Sequence, residues 1–173
     1  MTARFATLWL ILMPLFAPQV WAQAEGHDDL TGSKARYELG FHVGNLLPNQ
    51  IPGVTEIMGL GGVRAGFRLA PLTYAEAGVI AGDGNGVEWK NAHIDARMDI
   101  PVEGLVGMAY MGADTTYYKA AGASHVVFGG HAGGGVQALM TGMLWFRGEM
   151  KFSFSPGTSL YVGAGFVFRF GDK

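Results

Sequence analysis

The chain has 173 residues, of which 12 are Lys or Arg and 14 are Asp or Glu, so its formal charge at pH 7 is −2. It contains no cysteine, which excludes stabilisation by disulfides. The small negative charge argues against a nucleic-acid partner, because such partners require clustered Lys and Arg. The 28 glycines disfavour helices and favour an all-β chain.

Residues 1–24 have the three parts of a secretory signal peptide. Arg4 supplies a positive region, Phe5 to Ala17 form an apolar run too short to span a membrane as a helix, and Ala22-Gln23-Ala24 form a cleavage site. The alternative is a retained N-terminal anchor. Cleavage changes the formal charge from −2 to −3 because Arg4 is lost, and residues 25–34 then predict a flexible periplasmic lead-in.

Residues 35–170 predict eight strands, because apolar residues recur at every second position in eight consecutive segments. The expected segments are Arg36–Leu46, Met58–Leu69, Thr73–Gly82, His93–Ile100, Glu103–Gly112, Ser124–Ala138, Met143–Phe154 and Ser159–Phe170. The fifth segment is apolar on both faces, and we expect Val106, Met108 and Tyr110 to face outward. Pro101 is expected to end the fourth strand.

The polar faces of these strands carry glycines and charges, whereas the opposite faces are bulky, with phenylalanines near the strand ends. This alternation is typical of a barrel wall that faces lipid outside and a polar lumen inside. The alternative is a soluble, lipocalin-like barrel with the same two faces inverted. The charged residues predicted to line the lumen are Arg36, Glu38, Arg64, Arg68, Glu76, Asp95, Arg97, Asp99, Arg147, Glu149, Lys151 and Arg169.

The eight strands and the closing segment L-Y-V-G-A-G-F-V-F-R-F resemble the small eight-stranded outer-membrane β-barrel proteins of the OmpA/OmpX type. The resemblance covers Ala35 to Phe170 and implies a closed antiparallel up-and-down transmembrane β-barrel in the bacterial outer membrane. It also implies contact with outer-membrane lipid and lipopolysaccharide, and recognition of the closing strand by the barrel-assembly machinery. The residues that would carry this assembly signal are Tyr161, Phe166, Phe168 and Phe170. Gly171-Asp172-Lys173 form a C-terminal extension that departs from the aromatic end of the pattern.

An even number of strands places both termini at the same end of the barrel, which the resemblance assigns to the periplasm. The connections expected outside the cell are Leu47–Ile57, Asp83–Val87, Ala113–Ala123 and Ser155–Thr158. Those expected in the periplasm are Ala70–Leu72 and the turns near Pro101 and Thr141.

The lumen charges have two interpretations. Eight strands leave an interior only just filled by side chains, so opposite charges are expected to pair into a plug. Arg64 with Glu76, and Arg97 with Asp95 and Asp99, are the pairs that the sequence suggests. The alternative is a narrow pore for water, ions or small solutes.

Four histidines, His42, His93, His125 and His131, share the polar-facing side and, with Asp95 or Glu38, supply donor atoms for a metal. They lie on strands that do not adjoin and have no short ligand spacing. We therefore expect hydrogen bonds in the lumen, with no metal and no cofactor.

Enzymatic activity is not expected. Lipid A deacylases of this barrel class carry a Ser two residues after a His, whereas Val127 and Gly133 occupy those positions here. Members of the resembled family are variously structural anchors, adhesins, narrow pores or lipid-modifying enzymes. The sequence favours a structural or surface-interaction role, then a narrow pore, then a lipid-modifying enzyme.

The best recognition candidates for an extracellular ligand lie at the tip of the longest predicted outer loop, where exposed aromatic residues supply contact area. They are Thr115, Thr116, Tyr117, Tyr118 and Lys119. The alternative is that the tyrosines belong to the aromatic belt at the membrane interface.

Overall fold

The computed structural model describes residues 35–102 and 104–171. The predicted signal peptide, the lead-in at residues 25–34, and Asp172 and Lys173 of the C-terminal extension lie outside the described residues. Within the described ranges, no helix is long and apolar enough to cross a membrane.

Eight antiparallel strands form the fold, each paired with the next in sequence, and the eighth returns to the first to close a barrel. They are β1 Tyr37–Asn49, β2 Met58–Ala70, β3 Thr73–Gly84, β4 Val87–Val102, β5 Leu105–Ala120, β6 Ala123–Thr141, β7 Leu144–Ser153 and β8 Thr158–Phe170. The predicted closed, antiparallel, eight-stranded barrel is confirmed.

Two ends of the barrel are distinguished by their connections. The terminal end carries residues 35–36 and 171 together with Gly104 and the turns at 71–72 and 142–143. The distal end carries the turns at 85–86, 121–122 and 154–157 and the longer connection at 50–57.

Apolar side chains lie on the outer wall of the barrel and charged side chains lie inside it, as predicted. Phe128 and Val43 are 78% and 68% exposed on the outer wall, whereas Arg97 and Arg147 are 1% and 2% exposed inside it. Soluble proteins rarely expose such a continuous apolar surface while burying their charges. The alternative of an inverted, soluble barrel is therefore wrong.

The predicted register of the fifth strand is wrong. Val106, Met108 and Tyr110 are buried inside the barrel, and Leu105 and Ala109 face outward. Alternation gives the wrong face here because the lumen at the terminal end is itself apolar. Val106 packs there with Trp145 and Val167.

The longest predicted connection, Ala113–Ala123, is not a loop. β5 continues to Ala120 and β6 begins at Ala123, so only Ala121 and Gly122 form the turn, both with positive φ. Similarly, β4 begins at Val87, directly after Asn85 and Gly86 with φ of 52° and 76°. It also continues past Pro101, which pairs with Val106 close to the strand end, where proline is tolerated.

A glycine-rich segment of β6 has a packing explanation. A Cβ atom on Gly133 would lie 2.5 Å from the Tyr110 ring, and the Tyr110 hydroxyl donates to the Met150 carbonyl at 3.1 Å. Gly133 therefore leaves the space in which the Tyr110 ring packs against the backbone of β6.

Candidate functional site

A network of alternating charges fills the middle of the lumen. Ten of the twelve charged residues predicted to face the lumen are buried there: Glu38, Arg64, Glu76, Asp95, Arg97, Asp99, Arg147, Glu149, Lys151 and Arg169. These side chains point into the lumen because inward-facing residues recur at every second position of a strand. They can contact one another across the lumen because the interior of an eight-stranded barrel is narrow.

Arg97 on β4 is the centre of this network. Its guanidinium donates to both carboxylate oxygens of Glu38, at 2.7 and 2.9 Å. It also donates to Asp99, from Nε at 2.8 Å, and to Glu76 through Nη1. The Tyr74 ring covers the guanidinium at 4.2 Å, so Arg97 is held by three carboxylates and an aromatic face.

A second branch leads from Glu76 towards the opposite wall. Arg147 donates to both oxygens of Glu76, at 2.8 and 3.1 Å, and through Nε to Glu149 at 2.9 Å. Arg64 donates to both oxygens of Glu149 and contacts His42 Nδ1. The predicted pairing of Arg64 with Glu76 is therefore wrong, because Arg64 reaches across the lumen to Glu149 on β7.

Arg169 on the closing strand completes the network at the terminal end. It donates to Asp99 at 3.0 Å and to the Gln137 amide oxygen at 2.6 Å, and its Nε lies 2.7 Å from Glu38. The Trp145 ring lies 4.4 Å from its guanidinium carbon. In total, four arginines face four carboxylates (Glu38, Glu76, Asp99 and Glu149), so this part of the lumen has no net formal charge.

A separate polar cluster surrounds His131. Its Nδ1 lies 3.0 Å from Asp114, and its Nε2 contacts Asp95. An imidazole donates from both nitrogens only as the imidazolium, and in that form His131 and Lys151 balance Asp95 and Asp114. Lys151 donates to Asn91 at 3.3 Å.

The histidines come closer than the strand order predicts. The rings of His93 and His131 are 5.8 Å apart, because both side chains point into the same narrow lumen from β4 and β6. The expectation that separate strands keep them apart is wrong for this pair. Across residues 35–102 and 104–171, no three His, Cys, Asp or Glu side chains are arranged to hold a metal ion.

Apolar clusters lie on either side of the charges. At the terminal end, Val106, Trp145 and Val167 pack together. At the distal end, the 50–57 connection folds inward, so Ile51 and Val54 are 4% and 3% exposed. They pack in a larger cluster of Leu46, Ile51, Val54, Met58, Leu60, Ile80, Val87, Trp89, Tyr118, Ala120 and Tyr161. We call these eleven residues the distal cap.

Comparisons with known proteins agree with this architecture. No family model matches the sequence, and no curated protein matches it. The crystal structure of the N-terminal β-barrel domain of Pseudomonas aeruginosa OprF is 12% identical, with a TM-score of 0.64 over 79% of this chain and 98% of that one. This chain has the outer-membrane β-barrel fold.

Further solved structures share the fold. Neisserial surface protein A (NspA) is 10% identical, with a TM-score of 0.61 over 80% of this chain and 98% of that one. The outer-membrane protein OprG from Pseudomonas aeruginosa is 8% identical, with a TM-score of 0.57 over 79% and 96%. The predicted resemblance to small eight-stranded outer-membrane barrels is confirmed at the level of the fold.

Three residues of the barrel that were predicted to face the lumen lie elsewhere. Arg36 is exposed at the terminal end, where its guanidinium lies over the Phe67 ring at 5.2 Å. Arg68 folds back onto the β2–β3 turn and donates to the carbonyls of Ala70 and Pro71. His125 is exposed at the distal rim, where it stacks on Tyr118 at 4.8 Å. Each lies near a strand end, beyond the enclosed part of the lumen.

The recognition candidates are divided between the two faces of β5. Thr116 and Tyr118 point inward and are 1% and 2% exposed, whereas Thr115, Tyr117 and Lys119 face outward. A shared loop tip is therefore wrong, because β5 extends through the whole segment.

The four residues of the predicted assembly signal are divided as well. Phe166, Phe168 and Phe170 face outward, and Tyr161 belongs to the distal cap. Their role in assembly stays a prediction.

Several residues of the network and of the His131 cluster are not among the sequence-predicted site residues. Asn91, Asp114 and Gln137 are buried and bond to Lys151, His131 and Arg169, respectively. The sequence signal for the first two is present, since Asn91 lies two residues before His93, and Asp114 lies two residues before Thr116, in each case on the same inward face. Neither residue falls within a predicted strand, because the predicted fourth strand begins at His93 and the predicted fifth strand ends at Gly112.

Proposed function

We propose that the protein is an integral outer-membrane protein with a structural or surface-interaction role at the bacterial envelope, and that its lumen is closed to solutes. The observation that carries the proposal is the filled interior: a charge-balanced network with an apolar cluster on either side. The proposed orientation places the terminal end in the periplasm and the distal end outside the cell.

Paired charges favour a plug over a pore. Conduction through this lumen requires Arg97 or Arg147 to release carboxylates that they hold in multiple hydrogen bonds. Separating a buried charge pair costs several kcal/mol. The loss of one partner from such a pair costs about 3–5 kcal/mol. The proposed lumen therefore conducts less than a lumen lined by charges that face water.

The same pairing favours a non-catalytic role. A catalytic acid or base must reach the proton it transfers in the substrate. Here Glu38, Glu76 and Glu149 are at most 6% exposed, and each contacts arginines. These carboxylates stabilise the barrel in the proposal rather than act on a substrate.

In the proposal, partners contact the outward-facing surface at the distal ends of β4 and β5. The outward side chains of Tyr117 and Lys119 on β5 lie next to Lys90 and Glu88 on β4 in the strand register. This surface replaces the predicted loop tip as the candidate for surface interaction.

Conductance measurements test the closed lumen. The folded wild-type protein, reconstituted in planar bilayers in 1 M KCl, is expected to give no discrete current steps. The protein is delivered to the planar bilayers from lipid vesicles, and its folding in those vesicles is verified by the gel mobility of unboiled protein, so that a silent bilayer counts as a result. Uniform, reproducible steps from the wild-type barrel would establish the narrow-pore alternative instead.

A further inference from the structure

The distal part of β6 is paired on one side only. Its pairing with β5 continues to the end of the strand. Its pairing with β7 reaches only as far as His131, and one further bond joins the Phe154 amide to the Gly130 carbonyl at 3.0 Å. β7 has then ended, so none of the eight described strands pairs with residues 123–129 on the β7 side. We call this side of residues 123–129 the β6 edge.

Three residues direct their backbone groups to the β6 edge. In an antiparallel sheet, the N–H and C=O of one residue point to the same neighbouring strand, and those of the next residue point to the opposite side. Because the Gly130 carbonyl points to the β7 side, the alternate residues Ser124, Val126 and Phe128 direct their N–H and C=O groups there as well. Only water or another chain can bond these groups.

The side chains along the β6 edge leave it accessible. Val126 and Phe128 are 63% and 78% exposed, and Ser124 and His125 are exposed as well. Natural edge strands are commonly protected by Lys or Pro, whereas residues 123–129 read A-S-H-V-V-F-G and contain neither. Valine and phenylalanine also favour β-strands. The edge is therefore suited to accept a further strand.

The inner face of the same segment is held in place. Val127 packs against the distal cap, and His125 stacks on Tyr118 at 4.8 Å. A partner strand would therefore meet a backbone that is already extended, so little ordering of β6 opposes binding.

The β6 edge lies at the outer boundary of the bilayer in the proposed orientation. Val126 pairs with Tyr117, which pairs with Lys90, and Ser124 pairs with Lys119. Lysines on the lipid face of a barrel are destabilising at the bilayer midplane and tolerated near the interface. Water and partner proteins therefore have access to this row.

From these observations we infer that the β6 edge binds an extended peptide segment of a partner protein, which adds an antiparallel strand where a longer β7 would lie. The inference deepens the proposed surface-interaction role and rests on it, because the distal end must face outward. Backbone hydrogen bonds supply the affinity in this mode of recognition. Side chains opposite Val126 and Phe128 supply the selectivity, which favours β-branched and aromatic residues.

A second copy of this chain in the same membrane does not fit the β6 edge. The strands of such barrels are tilted by about 35–45° from the barrel axis. A twofold axis along the membrane normal would therefore cross the two β6 strands at about twice that angle, whereas neighbouring strands in a sheet differ by only about 20–25°. The occupant is an extended segment of another chain.

Hydrogen exchange in the full folded protein, read by NMR in lipid nanodiscs, tests the edge directly. The amides of Ser124, Val126 and Phe128 are expected to exchange fast, whereas the Val127 amide, which points to β5, exchanges slowly. A synthetic peptide of alternating Thr and Val residues is expected to slow exchange at the three edge amides. Edge amides that are protected without the peptide would overturn the inference.

A pair of variants tests the contribution of the edge to affinity. Val126→Pro removes one edge donor, and proline is tolerated on an edge strand where its nitrogen faces outward. Binding of the labelled peptide, measured by fluorescence anisotropy, is expected to weaken about tenfold, which corresponds to the loss of one hydrogen bond at the upper end of its usual net strength. Val126→Thr keeps the N–H and the β-branched side chain and is expected to bind like the wild type.

The outcomes separate this inference from the proposed function. Equal binding to Val126→Pro, equal binding of a peptide N-methylated on every backbone amide, or no binding by the wild type would overturn the strand site while leaving a folded barrel in the bilayer. Protection of the edge amides that increases with protein concentration would assign the edge to a second copy and would also overturn it. A wild-type protein that does not fold into bilayers would contradict the proposed function itself.

Discussion

Arg97 is the residue in which most of the lumen interactions meet. Its side chain contacts Glu38, Glu76 and Asp99, so one guanidinium supplies a positive charge to three buried carboxylates at once. Leaving a buried carboxylate without its cation costs free energy, since the carboxylate cannot recover its hydration inside the barrel.

Replacing Arg97 by methionine therefore tests the network directly. Arg97→Met is expected to lower the free energy of unfolding by about 3–5 kcal/mol, because it leaves buried carboxylates without their central cation. Urea titration of the folded barrel in lipid vesicles measures the change. The matched control is Arg36→Met, which removes an exposed arginine and is expected to cost at most about 1 kcal/mol. Equal losses in the two variants would show that the network contributes no special stability.

At the scale of elements, the distal cap depends on one connection. Ile51 pairs with Val54 in an isolated bridge, and the Val54 amide donates to the Ile51 carbonyl at 3.1 Å. The 50–57 connection thus has little backbone pairing of its own. Its position depends mainly on the burial of these two side chains against the barrel interior.

Truncating both side chains is expected to release the connection while the strands stay paired. In Ile51→Ala/Val54→Ala, proteolysis between residues 50 and 57 should become faster, because the lost apolar contacts no longer offset the entropy of ordering the connection. Limited proteolysis of the reconstituted protein, read by mass spectrometry, measures the cleavage rate. Ile57→Ala is the control, since Ile57 belongs to the same connection but is 61% exposed. Cleavage that is unchanged in the double variant would argue against the cap.

Elements with one apolar and one charged face were predictable from the sequence. In β4, Ile94 and Met98 alternate with Asp95 and Arg97, and a shift by one residue would bury the wrong set, so the faces are strongly specified. β5 gave no such contrast, because Val106 and Met108 fill an apolar part of the lumen. The sequence of its distal half predicts a loop, because Thr115 to Lys119 are polar or aromatic on both faces.

On the scale of the whole molecule, closure determines which charges meet. Sequence alternation places Arg64 and Glu149 inside the barrel, but it does not give their contact across the lumen from β2 to β7. That contact depends on strand tilt and on the length of the side chains, which alternation along a strand does not encode. For the same reason His93 and His131 meet although β5 separates their strands.

Closure also predicts how the folded protein behaves in detergent. β1 pairs with β8 along thirteen residue pairs from Tyr37 with Phe170 to Asn49 with Thr158, so no strand edge is left open at the seam. A closed barrel satisfies its backbone hydrogen bonds internally, and detergent at room temperature offers no replacement for them. The membrane-fraction protein is therefore expected to run at one position on a detergent gel when unboiled and to shift after boiling. The matched control is a chain that ends before Thr158, which lacks β8 and leaves β1 and β7 with open edges. This control should run at the unfolded position with or without boiling. A full-length protein that shows no shift, and that is recovered from the soluble periplasmic fraction, would contradict the membrane barrel.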